Sequence, residues 1–133
     1  MPGGVSIYLA NQLLDHVLGN TSFAPTVYIG LFTALPSDGG IGGVEASTGG
    51  YARVSKANDP TNWPAAEDGI KRNATPINWP AFSANMPQFV GAGVWDAPSG
   101  GYLLYFGPFS TPRTVLENEP FEIPALGGTF RGV

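Results

Sequence analysis

Apolar residues return at Ile7, Ala10, Leu14 and Val17, with Leu9, Leu13 and Leu18 widening the stripe. That spacing predicts one amphipathic helix over residues 6–18. Ser6 is placed to cap its start, and Gly19-Asn20 to stop it. Its polar positions are Asn11, Gln12, Asp15 and His16. A helix this apolar is expected to be pinned against a sheet or a neighbouring subunit.

From Pro25 onward the pattern turns to short β-branched and aromatic runs. Residues 26–33, "TVYIGLFT", are apolar on both faces and predict a central strand. Residues 34–50 read as a long Gly/Ser loop, 51–55 as a short strand, and 56–73 as a second long loop. Residues 74–82 read as an edge strand interrupted by Pro76 and Pro80, which have no N–H to give to a ladder. Residues 90–106 predict a hairpin that turns between Asp96 and Gly101. Further strands are expected at 113–117, 120–126 and 128–133. The whole reads as one mainly β domain over residues 1–133: an antiparallel β-sandwich, with a jelly roll as its candidate topology, and one N-terminal helix.

Composition agrees with many short strands joined by turns. The 133 residues hold 19 Gly and 13 Pro, which alone would suit disorder, but 43% are hydrophobic, with three Trp, five Tyr and eight Phe. Six basic against ten acidic residues leave a net charge of −4, and the basic ones are scattered. No patch exists to displace counterions from a phosphate backbone, so nucleic acid is not an expected partner. No apolar run reaches membrane-spanning length, and the first residues lack the basic start of a secretory leader. Assembly in a cytoplasm, without a membrane partner, is the expectation.

Reactive chemistry is sparse. With no cysteine there can be no disulfide or thiolate site. His16 is the one histidine, and neither a nucleophile nor an orienting acid is placed for it; near a helix C-terminus it suits the helix dipole. One His without Cys does not make a zinc site. Glu117, Glu119 and Glu122 lie close in sequence, but Glu117 and Glu119 on one strand would share a solvated face. Asp38-Gly39-Gly40 and Asp68-Gly69 are turn signals without the alternating oxygen ligands of a calcium loop. The "GGIGG" at 39–43 has no Lys-Ser/Thr after it. Triplets at Asn20 and Asn73 match the glycosylation pattern only by chance if the chain carries no secretory signal. No catalytic, cofactor-binding or metal residue is assigned, and no enzymatic activity or cofactor is expected.

Aromatic residues carry more signal. Trp95 sits among strand residues and is expected in the core. Trp63 and Trp79 each precede proline in an "NWP" triplet with loop-like surroundings, which makes them candidates for surface anchors. On a protein surface they would grip a partner; as a stacking platform they would bind sugar.

"SIYLANQLLDHVLG", "TVYIGLFTALPSDGG", "GGYARV" and "GVWDAPSGGYLLYFGPFSTPRTVLENEPFEI" together resemble a family of small bacteriophage virion proteins commonly labelled phage tail fibre proteins. The shared pattern covers most of the chain except 56–73; Tyr102 stands where the family tends to have Asn, and "ENEP" (117–120) replaces an acidic turn. The resemblance implies a virion structural protein whose partners are other virion proteins, from the major capsid protein to tail components. A fibre shaft would show repeats or heptads, and this chain shows neither, which favours a capsid decoration (cement) protein that binds and stabilises the shell. A tail fibre or tail-tip component is the alternative, and a carbohydrate-binding module using the loop tryptophans the second.

The helix stripe, strand 26–33 and hairpin 90–106 offer more apolar surface than one small core covers, so a homo-oligomer is expected. The family setting suggests a trimer. Trp63, Trp79, Leu9, Leu13 and Tyr102 are the candidate interface residues, and loops 34–50 and 56–73 the contact arms.

Overall fold

The structure is a computed structural model of the chain and describes residues 4–19, 25–125, 127 and 129–131. In chain order the elements are β1 (Gly4–Val5), α1 (Ile7–Val17), β2 (Thr26–Ala34), β3 (Val44–Glu45), β4 (Val54–Ala57), β5 (Ile70–Arg72), β6 (Ile77–Trp79), β7 (Phe89–Trp95), β8 (Leu103–Arg113), β9 (Phe121–Ile123) and β10 (Thr129–Arg131). Six strands form the main sheet, ordered β1-β8-β7-β2-β3, with β4 also paired to β2. Two smaller sheets, β6-β9 and β10-β5, complete the fold, and every pairing is antiparallel. The chain is therefore mainly β with one N-terminal helix, its antiparallel sheets consistent with the expected β-sandwich.

The doubly apolar reading of residues 26–33 holds, because β2 is flanked by β7 on one side and by β3 and β4 on the other. Val27, Ile29 and Leu31 enter the main core on one face. Tyr28 and Phe32 join Trp95 and Phe106 on the other. This is the two-residue alternation of a pleated strand buried on both sides. In β7 the parity breaks: the register with β8 shifts between Phe89 and Gly91, so Val90 packs with the smaller cluster while Ala92 and Val94 pack with the main one.

The main core lies between this sheet and β6-β9. Ile77 and Trp79 of β6 face Phe121 and Ile123 of β9, and Phe82, Met86, Phe89, Val115 and Trp63 close the space. Trp79, Phe89 and Phe121 meet in tilted and edge-on contacts at 5.6–5.7 Å between ring centres, each worth about 0.5–1.5 kcal/mol beyond area burial. Trp63 and Trp79 are thus core residues, 8% and 1% exposed, and not surface anchors. The second "NWP" is no loop: Pro76 and Pro80 bracket a three-residue strand whose burial alternates and whose Trp79 faces inward.

Other boundaries also moved. The strand expected at 51–55 begins only at Val54, where pairing to Ile29 starts, because Gly49 and Gly50 turn the chain with φ of 67° and 78°. Inside the loop expected at 56–73, Asp68-Gly69 makes a tight turn, φ 52° and 75°, closed by Glu67 and Ile70 and leading into β5. Residues 113–117 do not form their own strand. β8 runs on to Arg113, passing Pro108 and Pro112 beyond the two residues that β1 covers, and the chain then turns at Asn118, φ 69°. Asn73 is 2% exposed and donates through Nδ2 to the carbonyls of Thr75 and Pro124, which leaves it no room for a glycan. The Asn20 triplet lies outside the described residues.

Candidate functional site

The start of α1 is fixed firmly. Ser6 is buried; its Oγ accepts from the Leu9 amide at 3.1 Å and donates to the Leu103 carbonyl, and its own amide donates to the Leu104 carbonyl at 2.9 Å. One residue therefore caps the helix and ties it to β8. Leu9 is buried beneath the first turns. Tyr8 stacks flat on Tyr102 of the hairpin turn, ring centres 4.0 Å apart. Ile7 lies over Gly39, whose φ of +80° and missing Cβ leave room; a Cβ there would stand 2.9 Å from the Ile7 side chain.

From Leu13 onward the helix residues are exposed. Leu14, Val17 and Leu18 are 62%, 74% and 82% exposed, and Leu13 and Ile7 are exposed as well. At about 100° per residue, Tyr8, Gln12 and Leu9 cover the side turned to the sheet. Ile7, Ala10, Leu14 and Val17 fall on the opposite side. The stripe was expected against a sheet or a neighbouring subunit, and within this chain Leu9 is the stripe residue that is buried.

Of the five candidate interface residues, Leu13 and Tyr102 stand at the surface, while Leu9, Trp63 and Trp79 are used internally. Leu14, Val17 and Leu18 were visible in the helical period but were not singled out. Ile41 and Val44, from the loop expected to serve as a contact arm, are also exposed.

A polar cluster that sequence reasoning missed holds the hairpin turn in place. Arg53 forks onto Glu45, with Nε to Oε2 and Nη2 to Oε1 both at 2.8 Å. Its Nη1 donates to the carbonyls of Ala97 (2.8 Å) and Gly100 (2.9 Å), and the guanidinium lies 4.1 Å above the Trp95 ring. Tyr51 donates to Glu45 Oε2 at 2.6 Å and accepts from the Leu31 amide at 3.0 Å. Burial, and next the Glu45 carboxylate that takes its hydrogen bond, push the Tyr51 phenol well above the usual tyrosine range. Gly30 makes the cluster possible, because a Cβ there would come within 3 Å of the Tyr51 hydroxyl, the Trp95 ring and the Glu45 carboxylate. Spacing could not show this, since three separate segments supply the side chains.

The cluster joins three segments: four of the Arg53 N–H groups and the Tyr51 hydroxyl find acceptors within it. His16 is exposed in the last turn of α1. Glu117 and Glu119 occupy a turn and not a strand, and Glu119 accepts from the Leu116 amide at 2.8 Å. Among the described residues no three His, Cys, Asp or Glu side chains gather as metal ligands, and no helix is long and apolar enough to cross a membrane. An open groove of about 670 Å³ runs between β8 and β9 past Phe109, Thr111, Arg113 and Glu122. The described surface offers an outward apolar helix face.

Comparison with known families gives one description, Gp80, podophage GP4 fiber I protein gp80, whose model matches residues 4–131. Among curated proteins nothing matches.

Proposed function

The chain belongs to the podophage GP4 fiber I protein gp80 family, and from this premise we propose that it is a non-enzymatic structural part of a phage tail fibre. In this reading the β body is a rigid platform, and α1 is the surface through which it joins other virion proteins. The outward apolar face of α1 carries the reading: five large apolar side chains, Ile7, Leu13, Leu14, Val17 and Leu18, stand in water unless a partner covers them.

The family description names a fiber and so favours the tail-fibre alternative over the capsid decoration expected from sequence. The sugar-binding reading loses its residues, since Trp63 and Trp79 lie in the core. Mass spectrometry of purified particles and antibody labelling of intact ones test the proposal together. Particles that carry the chain, labelled on the tail, are the expected result. Label on the shell would return the decoration reading, and particles lacking the chain would remove both.

A further inference from the structure

We propose that Asp68 is a site of spontaneous backbone modification, where the chain isomerises through a succinimide and loosens the β5–β10 ribbon as it does so. The inference stands apart from where the chain sits in a particle.

An aspartate followed by glycine is the pair in which a backbone amide most readily attacks the preceding side chain, because glycine puts no Cβ in the way. The chain has two such pairs, Asp38-Gly39 and Asp68-Gly69. The reaction needs only water. With the Asp68 carboxyl in its neutral form, the Gly69 nitrogen attacks Cγ. The N–Cγ bond forms, the Cγ–OH bond breaks, and the hydroxyl leaves with the amide proton as water. A second water then opens the five-membered ring. Attack at Cγ restores aspartate. Attack at the Asp68 backbone carbonyl carbon breaks its bond to nitrogen instead and leaves the chain running through Cγ, as isoaspartate. Nothing is oxidised or reduced, and the product has the mass of the starting chain.

The two pairs stand in different surroundings. Around Asp38-Gly39, Ser37 donates to the Ile41 carbonyl through its amide at 2.9 Å and through its Oγ at 3.0 Å, and the Gly40 amide donates to the Ser37 carbonyl at 3.0 Å. Gly39 is half-buried beneath Ile7, so swinging its amide toward the Asp38 side chain pushes against the first turn of α1.

Glu67, Asp68 and Gly69, by contrast, are all exposed. Two bonds between Glu67 and Ile70, each 2.9 Å, close the turn, and among the described residues nothing bonds the Asp68 carboxylate or the Gly69 amide. Asp68 has a φ of 52°, a left-handed conformation that strains a residue with a Cβ, so leaving it for ring closure releases strain. Residues 67–72 belong to neither hydrophobic cluster, and β5 meets β10 over three residue pairs. Opening at this end of the ribbon therefore disturbs little else.

The product carries one more backbone carbon through the turn. A two-residue turn sets the register of the strands it joins, and a longer one cannot keep both Glu67–Ile70 bonds. Ile70 is also where pairing to Arg131 begins, so the loss of register starts at the first residue of β5. The main core lies elsewhere and keeps its packing.

The test ages the purified full-length chain at physiological temperature and locates isoaspartate by peptide mass spectrometry with site-resolving fragmentation. In the folded chain it should accumulate about tenfold faster at residue 68 than at residue 38, a difference set by local opening. In denaturant the two should react at similar rates, which assigns the difference to the fold. Asp68→Glu should abolish the product at residue 68, because the larger ring closes far more slowly. Asp68→Asn should speed it, since an uncharged amide needs no protonation before attack. Asparagine also tolerates the left-handed turn, so this variant carries the test if the glutamate chain misfolds. The separated aged form should show faster amide exchange at Lys71 and Arg72, with exchange in β2 and β7 unchanged. Equal rates at residues 38 and 68 in the folded chain overturn the inference, as does no product at residue 68 while the denatured chain reacts. Unchanged exchange in β5 of the aged form overturns the loosening.

Discussion

The β body and α1 treat their apolar residues in opposite ways. In the body, Ile29, Leu31, Ile77, Trp79 and Phe89 are almost wholly buried, and Arg53 and Glu45 form a forked ion pair with both partners largely shielded. In α1, Leu14, Val17 and Leu18 are mostly in water. The apolar residues of the body are covered within one chain, and those of the second half of the helix are not. On the proposed reading, fold stability and contact with other virion proteins reside in different residues, and each should be removable without the other.

The largest effect is expected in the body. Trp79→Ala empties a site closed by Ile77, Phe121 and their neighbours and should cost about 3–5 kcal/mol in a denaturant titration. If contact with other virion proteins at native conditions changed as much as stability does, the separation between body and helix would fail.

Arg53→Ala comes next, at about 2–3 kcal/mol, because it leaves Glu45 without its ion partner and two turn carbonyls without a donor. Arg53→Lys should rescue little of this, since a single ammonium cannot match the fork or lie flat on Trp95. The turn that Arg53 holds also carries Tyr102, which stacks on Tyr8 of α1. Arg53→Ala is thus the change in the body expected to loosen the helix, seen as faster amide exchange in its first turns.

A smaller effect, about 1–2 kcal/mol at neutral pH, is expected for Tyr51→Phe, which deprives the Leu31 amide of its acceptor and Glu45 of a donor. Its pH dependence is the sharper signature. The folded chain holds the phenol protonated above the ordinary tyrosine value of 10.0, so the contribution is complete below that pH and falls as pH rises past it. Tyr105, raised by burial, adds to the same alkaline loss. Denaturant melts from pH 8 to pH 11 should fall less steeply for Tyr51→Phe than for the unaltered chain; equal slopes would show that the phenol is not shielded.

The smallest effect on folding should come from the helix. Leu14→Asp should move the stability of the body by no more than about 0.5 kcal/mol, because the side chain is already in water. A loss of several kcal/mol measured on single copies would mean that α1 belongs to the body's core after all.

Local signals were enough for several features. The helical period and Ser6 located α1, since a cap and an amphipathic row are short-range properties. The doubly apolar run in β2 and the β7–β8 hairpin were legible for the same reason.

Only the tertiary structure decided which apolar residues were spoken for. Trp63 and Trp79 look like loop residues beside proline, yet β6 pairs with β9, more than forty positions away, and places Trp79 in the core. Arg53 looked like one scattered charge until Glu45, Trp95 and the turn carbonyls met around it. The sequence alone established that a stripe exists on α1, because its period is fixed by the helix itself. Which way the stripe faces depends on how Ser6, Tyr8 and Leu9 dock on β8 and the hairpin turn nearly a hundred residues later, and no local pattern records that contact.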